Sequence, residues 1–394
     1  MFSVFTYWLL ISCSSFPIEN HTLARNIQLI PLSLLSSFSY ILSFLTFFPF
    51  LHSFLSFYFR LPSLLSEWML QHARQDGILP QYCPPTGPCQ YGQLCNDTVG
   101  SPFWRNCQDL DTSAFAVKFA HHVWKNYLHS SAEKNNFYKK WSSVLELAMN
   151  ATTSDPNDSG LLWSNVSRPM VGYGFQDTIQ KSGVVLYSSL LQWNASRLFN
   201  EMATFAKDPT VSNRMSILEQ KLFQNVNKLL WNEKDGVYHA SNGGIESDKI
   251  DVWGNGMAVA MNFANSVQSK SIFLYYQKNQ QNIFYQGQVR EIALPNNWMS
   301  VGYGDASIAK ATVMEYQNGG FWATPHHHVL PFIAMYDKEM ACRLLNESIM
   351  SYRSNGINEW IGPFYPGDTH GATGYIASAA GTYYASEQIR CWEE

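Results

Sequence analysis

The stretch Glu315-Tyr-Gln-Asn-Gly-Gly-Phe-Trp-Ala-Thr-Pro-His326, with the residues that follow it, contains the unit from which the chain is built. A loop rich in glycine and aromatic residues comes first, and its paired glycines predict a tight turn. Pro325 suits the first turn of a helix, because an N–H would have no helical partner there. Apolar residues at helical spacing then predict one helix over Pro325–Tyr336 and a second over Lys338–Tyr352.

The same order of loop and paired helices recurs from Glu67 onward. Apolar spacing predicts further helices at Ala114–Tyr127, Phe137–Met149, Gly183–Phe205, Val211–Leu230, Val252–Phe263, Gln268–Asn282 and Thr373–Glu387. No convincing run of alternating strand residues intervenes. A short β segment is expected only near Gly236–His239, after a Lys-Asp-Gly turn.

Helices joined in pairs must close into a bundle, a solenoid or a toroid. A solenoid should repeat its sequence at a fixed period. The sequence Val-Gly-Tyr-Gly occurs twice, at Val171–Gly174 and Val301–Gly304, but four matching residues are too few to establish a repeat. The long loops differ and concentrate polar and aromatic residues, as expected if they open onto one face. The sequence therefore predicts an all-α fold, an (α/α)6 toroid, whose first hairpin is either built from Ser66–Ala73 and a cysteine-rich loop or missing.

Composition narrows the class of ligand. The 394 residues include 26 basic and 30 acidic side chains, a net charge of -4, and no Lys/Arg run that could follow a phosphate backbone. Nucleic acid is therefore not expected as a partner. Aromatic residues make up 15% of the chain, which suits a cleft whose rings stack on a carbohydrate. An aromatic-rich core explains this composition equally well.

Cysteines and glycosylation sequons indicate an oxidising compartment. Four of the seven cysteines, Cys83, Cys89, Cys95 and Cys107, fall in one loop that predicts disulfides, since their spacing matches no zinc pattern. Seven Asn-x-Ser/Thr sequons begin at Asn20, Asn96, Asn150, Asn157, Asn165, Asn194 and Asn346. The sequence thus predicts a glycoprotein of the secretory pathway, either extracellular or membrane-anchored.

The first 65 residues differ in character from the rest. Between Ile27 and Tyr58 there is no charged side chain, and this run exceeds the roughly 20 residues that span a bilayer. Residues 1–65 are therefore interpreted as a signal or membrane anchor, or as a mis-assigned exon. Residues 66–394 are expected to form the helical domain.

Three loop segments contain the candidate site residues. In the first, Asp177 stands where it could cap a helix. Capping alone does not explain the polar and aromatic residues before it, which we expect to bind substrate: Trp163, Arg168, Tyr173 and Gln176. In a separate loop, Asp251 and Trp253 are expected to form substrate hydrogen bonds.

The second segment is the turn quoted at the start, which presents Tyr316, Asn318 and Trp322 as substrate-binding residues and Glu315 as a second candidate base. Three histidines follow. Adjacent helical residues point about 100° apart, so these side chains cannot all reach one ion, and no metal site is expected. One of His326 and His327 is expected to face the cleft and bind substrate.

The third segment contains Glu359, followed by Trp360 and later by Tyr375. An exposed surface role is one interpretation of this glutamate. Its apolar neighbours Ile357 and Phe364 favour another, in which the carboxylate is desolvated and its pKa is raised toward a catalytic range.

These segments resemble the six-hairpin glycosidase superfamily, which includes trehalases, glycoside hydrolase family 63 and the neutral invertases. The Tyr316-x-Asn318-Gly-Gly320-x-Trp322 run is similar to a Y-x-N-G-G-x-W run of invertase-like members. The segment from Glu359 through Ser378-Ala-Ala380 resembles the late segment that contains their general base, and the Arg168–Asp177 segment resembles the loop that contains their general acid. Trp360 stands where relatives have Asn-Tyr, and Gln176 replaces their tryptophan.

The resemblance implies a hydrolase of an O-glycosidic bond, with no cofactor and with an α-linked sugar as the expected substrate. Asp177 would protonate the leaving oxygen, and Glu359 would activate a water on the opposite face of the sugar, with inversion. Two alternatives remain open at this point: an inactive carbohydrate-binding relative, and a toroid phosphorylase or lyase.

Overall fold

The computed structural model describes residues 70–73, 75, 79–82, 90–91, 111–151, 155–164, 183–243, 247–291, 317, 319–362 and 369–392. In chain order, the helices of this part are α1 (Thr112–Asn126), α2 (Ser131–Asn150), α3 (Leu186–Phe205), α4 (Pro209–Leu229), α5 (Val252–Ala260), α6 (Ser266–Lys278), α7 (Gln280–Ile283), α8 (His326–Ala334), α9 (Lys338–Asn355) and α10 (Ile376–Ile389). The described part is therefore rich in helix, as predicted.

Short strands connect these helices. They are β1 (Pro80–Tyr82), β2 (Gln90–Tyr91), β3 (Trp163–Ser164), β4 (Gly183–Val185), β5 (Trp231–Asn232), β6 (Val237–Tyr238), β7 (Ser241–Gly243), β8 (Phe284–Tyr285), β9 (Gln288–Arg290), β10 (Phe321–Trp322), β11 (Asn358–Ile361) and β12 (Thr369–Thr373). The β5–β6 hairpin confirms the β segment expected near Gly236–His239.

Local capping explains where several helices begin. Ser130 accepts a hydrogen bond from the Glu133 N–H, and the Glu133 carboxylate accepts one from the Ser130 N–H. This capping box starts α2 six residues before the predicted Phe137. At α4, Asp208 accepts hydrogen bonds from the N–H groups of Thr210 and Val211, which fixes the first turn.

The helices divide into an inner and an outer set. Helix α3 packs between α1 and α5, and α8 packs between α5 and α10, so these five inner helices follow one another side by side. Helices α2, α4, α6 and α9 pack on their outer sides. The outer helix α4 buries one stripe, Val211, Met215, Leu222 and Val226, whereas eight of the nine residues of the inner helix α5 are buried.

Alternating inner and outer helices are consistent with an α-helical toroid. Within the described ranges, α10 and α1 share no extensive contact that would join the two ends of the inner series. Closure by six hairpins therefore stays a prediction. So does the boundary at residue 65, because the preceding residues lie outside the described part.

A five-stranded antiparallel sheet, in the order β12-β11-β10-β9-β8, was not predicted. Its strands have two to five residues each, too few for an alternating pattern to be recognised. The sheet brings Phe321 of β10 opposite Ile361 of β11 and Arg290 of β9. The predicted all-α class is therefore corrected: the described part is mostly helical, but it also contains this five-stranded sheet.

Three further predicted helices differ from the structure. Gly183 lies in β4, with a φ of +78°, and a Cβ there would lie 2.0 Å from the Asn242 carbonyl oxygen. Residue Thr373 ends β12, so α10 begins only at Ile376. The helix expected over Gln268–Asn282 is interrupted at Asn279, whose side chain and N–H both bind the Tyr275 carbonyl.

One disulfide joins Cys342 of α9 to Cys391, just after α10. The bridge closes a segment of 49 residues, and the chain-entropy model gives such a constraint a stabilisation of about 4 kcal/mol. The cysteines of the predicted loop, Cys83 to Cys107, lie outside the described residues. No helix in the described part is long and apolar enough to cross a membrane, and the apolar run at residues 27–58 lies outside it.

Close backbone contacts fix the position of α8. A Cβ on Gly381 of α10 would lie 2.8 Å from the carbonyl oxygens of both Ala323 and Thr324, just before α8. A Cβ on Gly256 of α5 would lie 2.8 Å from the Val329 side chain. Helix α8 is therefore held between two glycines, one on each neighbouring inner helix.

We expect Gly381→Ala to lower the free energy of unfolding by about 1–3 kcal/mol, because its new methyl group meets backbone atoms that cannot move aside. Gly256→Ala is the companion variant: it gains the same helix propensity of about 1 kcal/mol, but its methyl group meets one side-chain atom of Val329 rather than two backbone carbonyl oxygens, so a smaller loss is expected. Urea denaturation of both variants measures the difference. Equal stabilities would contradict this account of α8 packing.

Candidate active site

The inner helices begin with polar and aromatic residues that lie close together. Tyr187, in the first turn of α3, contacts Trp253, in the first turn of α5, with ring centroids 5.0 Å apart. Trp253 in turn lies edge-on to His327 of α8 at 5.9 Å, and its indole N–H donates to Nδ1 of His328 at 3.1 Å. The starts of α3, α5 and α8 therefore meet at one end of the inner series.

Three carboxyl groups surround Tyr187. Burial raises the pKa of Tyr187 well above its usual value, and the negative charges of Asp111, Asp251 and Glu291 raise it further. Asp111 directly precedes α1, Asp251 precedes α5, and Glu291 follows β9. The start of α1 therefore belongs to the same cluster.

Asp251, predicted to bind substrate, caps α5 instead in the contacts described. Its side chain is 0% exposed, and Oδ1 accepts a hydrogen bond of 2.6 Å from the Gly254 N–H. Its backbone carbonyl accepts from the Asn255 side chain, which also binds both backbone groups of Tyr238. These contacts fix the first turn of α5 and therefore the position of Trp253; a substrate contact stays a prediction.

Asp111 was missed by the sequence analysis. It occupies the N-cap position of α1 without a side-chain cap bond, is 6% exposed, and its Oδ1 has no hydrogen-bond partner in the part of the chain that the structure describes. Burial raises the pKa of Asp111 to about 7. In the sequence, Asp111 could have been recognised because it directly precedes a helix, as Asp251 directly precedes the inner helix α5.

The histidines of α8 have distinct contacts. Both ring nitrogens of His326 are hydrogen-bonded to protein, Nδ1 with the Thr382 hydroxyl at 2.9 Å and Nε2 with the Gly287 carbonyl at 3.0 Å. These bonds argue against the predicted ligand role of His326 and assign it to the packing of α8 on α10. His327 Nδ1 donates to the Thr324 carbonyl at 2.7 Å, and its ring lies 6.4 Å from that of Tyr384.

All three histidines are neutral at physiological pH. Burial lowers the pKa of His326 to about 4 and lowers the pKa values of His327 and His328 well below the usual range. The nearby charge of Lys118 adds to the effect on His327 and His328. Lys118 lies inside α1, where burial lowers its own pKa to about 8. It was not predicted as a site residue because it lies in a helix, outside the loop segments that contain the candidates.

Glu359 lies on β11 and is 4% exposed, so the predicted burial of its carboxylate is confirmed. Its Oε2 accepts a hydrogen bond of 3.3 Å from the Ala372 N–H of β12. The hydroxyl of Ser378, in α10, donates to the Glu359 carbonyl at 3.5 Å. Strand β12 thus contacts the carboxylate, the first turn of α10 contacts the backbone of Glu359, and the surface interpretation of Glu359 is wrong.

The remaining described candidates lie on the same strands and helix starts. Trp360 is buried beside Glu359 on β11, and Trp322 of β10 lies 6.4 Å from the ring of Tyr375, which immediately precedes α10. The N–H of Tyr375 donates to the Ile357 carbonyl at 3.2 Å. Trp163 is half-buried on β3 and pairs with Val184.

Arg290, which was not among the predicted site residues, stabilises the turn at Gly319 and Gly320. Its Nε donates to the Gly319 carbonyl at 2.8 Å, and its guanidinium lies 4.2 Å from the centroid of the Phe321 ring. The backbone of the next residue, Glu291, accepts a hydrogen bond from the Val252 N–H at 2.8 Å. Strand β9 therefore links this turn to the start of α5.

Several predicted site residues lie outside the described ranges: Arg168, Tyr173, Gln176, Asp177, Glu315, Tyr316 and Asn318. Helix α3 begins at Leu186, after β4, with Val185 at its N-cap position. Among the residues that are described, no three His, Cys, Asp or Glu side chains are grouped so that they could hold a metal ion.

Comparison with solved structures identifies the fold. The chain is similar to an uncharacterised conserved protein from Thermus thermophilus, with 13% identity over 82% of this chain and 86% of that one and a TM-score of 0.54. It is also similar to the GH63 mannosylglycerate hydrolase of the same organism, in a complex with glucose (13% identity, 82% and 86% coverage, TM-score 0.56). A complex of that hydrolase with Tris and D-glycerate gives 12% identity, 82% and 87% coverage and a TM-score of 0.55.

The predicted resemblance to the six-hairpin glycosidase superfamily is thus confirmed at the level of the fold. No protein-family model matches the sequence, and no curated protein matches it.

The Asp111 carboxyl predicts a pH dependence of stability. A carboxyl whose pKa is raised in the folded state is more easily ionised in the unfolded chain, so it destabilises the fold increasingly as pH rises from about 4 to about 7. We expect Asp111→Asn to remove this loss, with a gain on the order of 1–4 kcal/mol at pH 8 and little at pH 4.

Urea denaturation at pH 4, 5, 6, 7 and 8 measures this dependence. Asp208→Asn is the control, because the pKa of Asp208 is lowered by the N–H groups that it caps, and its effect should not grow between pH 5 and pH 8. If Asp111→Asn and the unsubstituted protein differ by the same amount at every pH, folding does not raise the pKa of Asp111, and this prediction is wrong.

Proposed function

We propose that this chain is a glycoside hydrolase that cleaves the O-glycosidic bond of an α-linked sugar with inversion, using Asp177 as general acid and Glu359 as general base. One observation carries the proposal: Glu359 is buried, and its carboxylate accepts a hydrogen bond from the Ala372 N–H of β12. The fold shared with a GH63 mannosylglycerate hydrolase supports it.

The surroundings of Glu359 suit a base. The Ala372 N–H that donates to Oε2 stabilises a negative charge on the carboxylate, and a base must be ionised to accept a proton from water. An inverting reaction needs the two carboxyl groups roughly 6.5–9.5 Å apart, with the water on one side of the sugar and the acid on the other. The proposal therefore requires that Asp177 face Glu359 at such a distance.

We propose that aromatic rings and neutral polar groups at the ends of the inner helices bind the sugar. Trp253 and His327 contact each other edge-on, and the low pKa of His327 leaves it uncharged, which suits a sugar hydroxyl better than an anion. We propose as further substrate contacts the predicted residues Trp163, Arg168, Tyr173, Gln176, Asp251, Glu315, Tyr316, Asn318, Trp322, Trp360 and Tyr375. Asp111, with a pKa of about 7, adds a carboxyl that can donate a hydrogen bond.

Glu359→Gln and Asp177→Asn test the mechanism. Removing a general base or acid should lower kcat by about 10²- to 10⁴-fold and leave sugar binding nearly unchanged. The activity is first found with a panel of α- and β-linked aryl glycosides and disaccharides, and proton NMR of the initial product reads the anomer. Release of the anomer opposite to the substrate's is the expected result.

Glu347→Gln is the matched control, since Glu347 lies on the outer helix α9 in an ion pair with Arg343, and it should retain full activity. Turnover that depends on added phosphate would instead indicate a phosphorylase. Sugar binding without turnover in the unsubstituted protein, unchanged in both variants, would identify a carbohydrate-binding relative and reject the hydrolase.

A further inference from the structure

The disulfide indicates where this chain folds. Cys342 lies on α9 and Cys391 just after α10, with Cα atoms 5.6 Å apart. Their side chains pack against the core. Disulfides of this kind form and persist in oxidising compartments such as the lumen of the secretory pathway.

Three sequon asparagines are exposed on the outer side of the domain. Asn150 is the last residue of α2, and Asn157 lies in the turn that follows it. Asn346 lies on the solvent-facing side of α9, beside the exposed pair Arg343 and Glu347. A bulky glycan on any of these three side chains would extend into solvent.

A fourth described sequon has different surroundings. Asn194 lies on the inner helix α3 and is only partly exposed, and its neighbours Trp193 and Ala195 are buried. Because Asn194 is only partly exposed on a helix that packs against α1, α4 and α5, a glycan has less room here than on the three exposed asparagines.

We propose that this domain matures in the secretory lumen with the Cys342–Cys391 bridge and N-linked glycans on Asn150, Asn157 and Asn346, while Asn194 stays unmodified. In each transfer, the side-chain amide nitrogen bonds to the anomeric carbon of a lipid-diphosphate-linked oligosaccharide, the lipid diphosphate leaves, and the amide loses one proton. The two thiols lose two protons and two electrons to a disulfide-containing oxidase, which is reduced to a dithiol. Neither step depends on the proposed glycosidase activity.

The local geometry is compatible with modification. The Nδ2 of Asn157 donates one hydrogen bond to Asp155 Oδ1 at 3.1 Å, and a glycosylated amide keeps one N–H for such a bond. Asn150 ends α2, and Asn157 lies in the turn closed by the hydrogen bond from the Asp155 N–H to the Leu161 carbonyl. The N–H of the next residue, Leu162, donates to the Ser189 hydroxyl in the first turn of α3, so this turn lies near the start of α3. Two of the glycans would therefore emerge beside the candidate active site, and the third from the outer helix α9.

The test is expression of the full chain in insect cells, with its own N-terminus. Enzymatic release of N-glycans in heavy-oxygen water labels each formerly glycosylated asparagine, and peptide mass spectrometry locates the labels. We expect labels at Asn150, Asn157 and Asn346, none at Asn194, and a Cys342–Cys391 cross-linked peptide in the unreduced digest. An unlabelled asparagine at any of the three positions, a labelled Asn194, or a free thiol at Cys342 contradicts the proposal.

Matched variants confirm each site. Asn150→Gln, Asn157→Gln and Asn346→Gln should each remove one glycan-sized step in gel mobility, whereas Asn126→Gln, at an exposed asparagine outside any sequon, should remove none. Far-ultraviolet circular dichroism of each secreted variant checks that it has folded. A variant that is folded and keeps its mobility shows that its asparagine was not modified.

Discussion

The packing of α8 between α5 and α10 is the constraint on which the rest of the described structure depends. Glycines at positions 256 and 381 let the neighbouring helices approach α8 at distances that any side chain would prevent. His326, buried in the same contact, links Thr382 of α10 to the Gly287 carbonyl through its two ring nitrogens. Because α8 is fixed on both sides, the first turns of α5, α8 and α10 have defined relative positions, and the candidate site is built from those turns.

The five-stranded sheet positions the carboxylate that the inner helices do not supply. Glu359 lies on the strand between β10 and β12, so its neighbours on both sides are set by backbone hydrogen bonds. Arg290, on β9, holds the Gly-Gly turn through the Gly319 carbonyl. A buried carboxylate is costly unless polar groups stabilise it, and the neighbouring strand β12 provides the Ala372 N–H as a donor at a fixed position. This arrangement explains why a mostly helical protein places its candidate base on a strand.

The electrostatics of the site follow from burial more than from net charge. Asp111 tends toward its protonated form and the three histidines toward their neutral forms, while the buried Lys118 has a lowered pKa. In each case burial is the main cause, since it penalises the charged form of every group. The result is a cluster in which neutral histidines and aromatic rings lie beside several carboxyl groups, a combination that suits recognition of a polyhydroxylated ligand.

The sequence by itself determined the helices, because a period of 3.6 residues over ten or more positions can be recognised locally, as the single buried stripe of α4 illustrates. It also indicated the buried state of Glu359, through the apolar residues beside it. Only the tertiary structure decided that Glu359 lies on a sheet, that His326 is a packing residue, and that Asp111, Lys118 and Arg290 belong to the site. Strands of two to five residues have no recognisable period, and burial and hydrogen-bond partners come from residues distant in the chain. Such contacts form only when the helices pack, so no local pattern could reveal them.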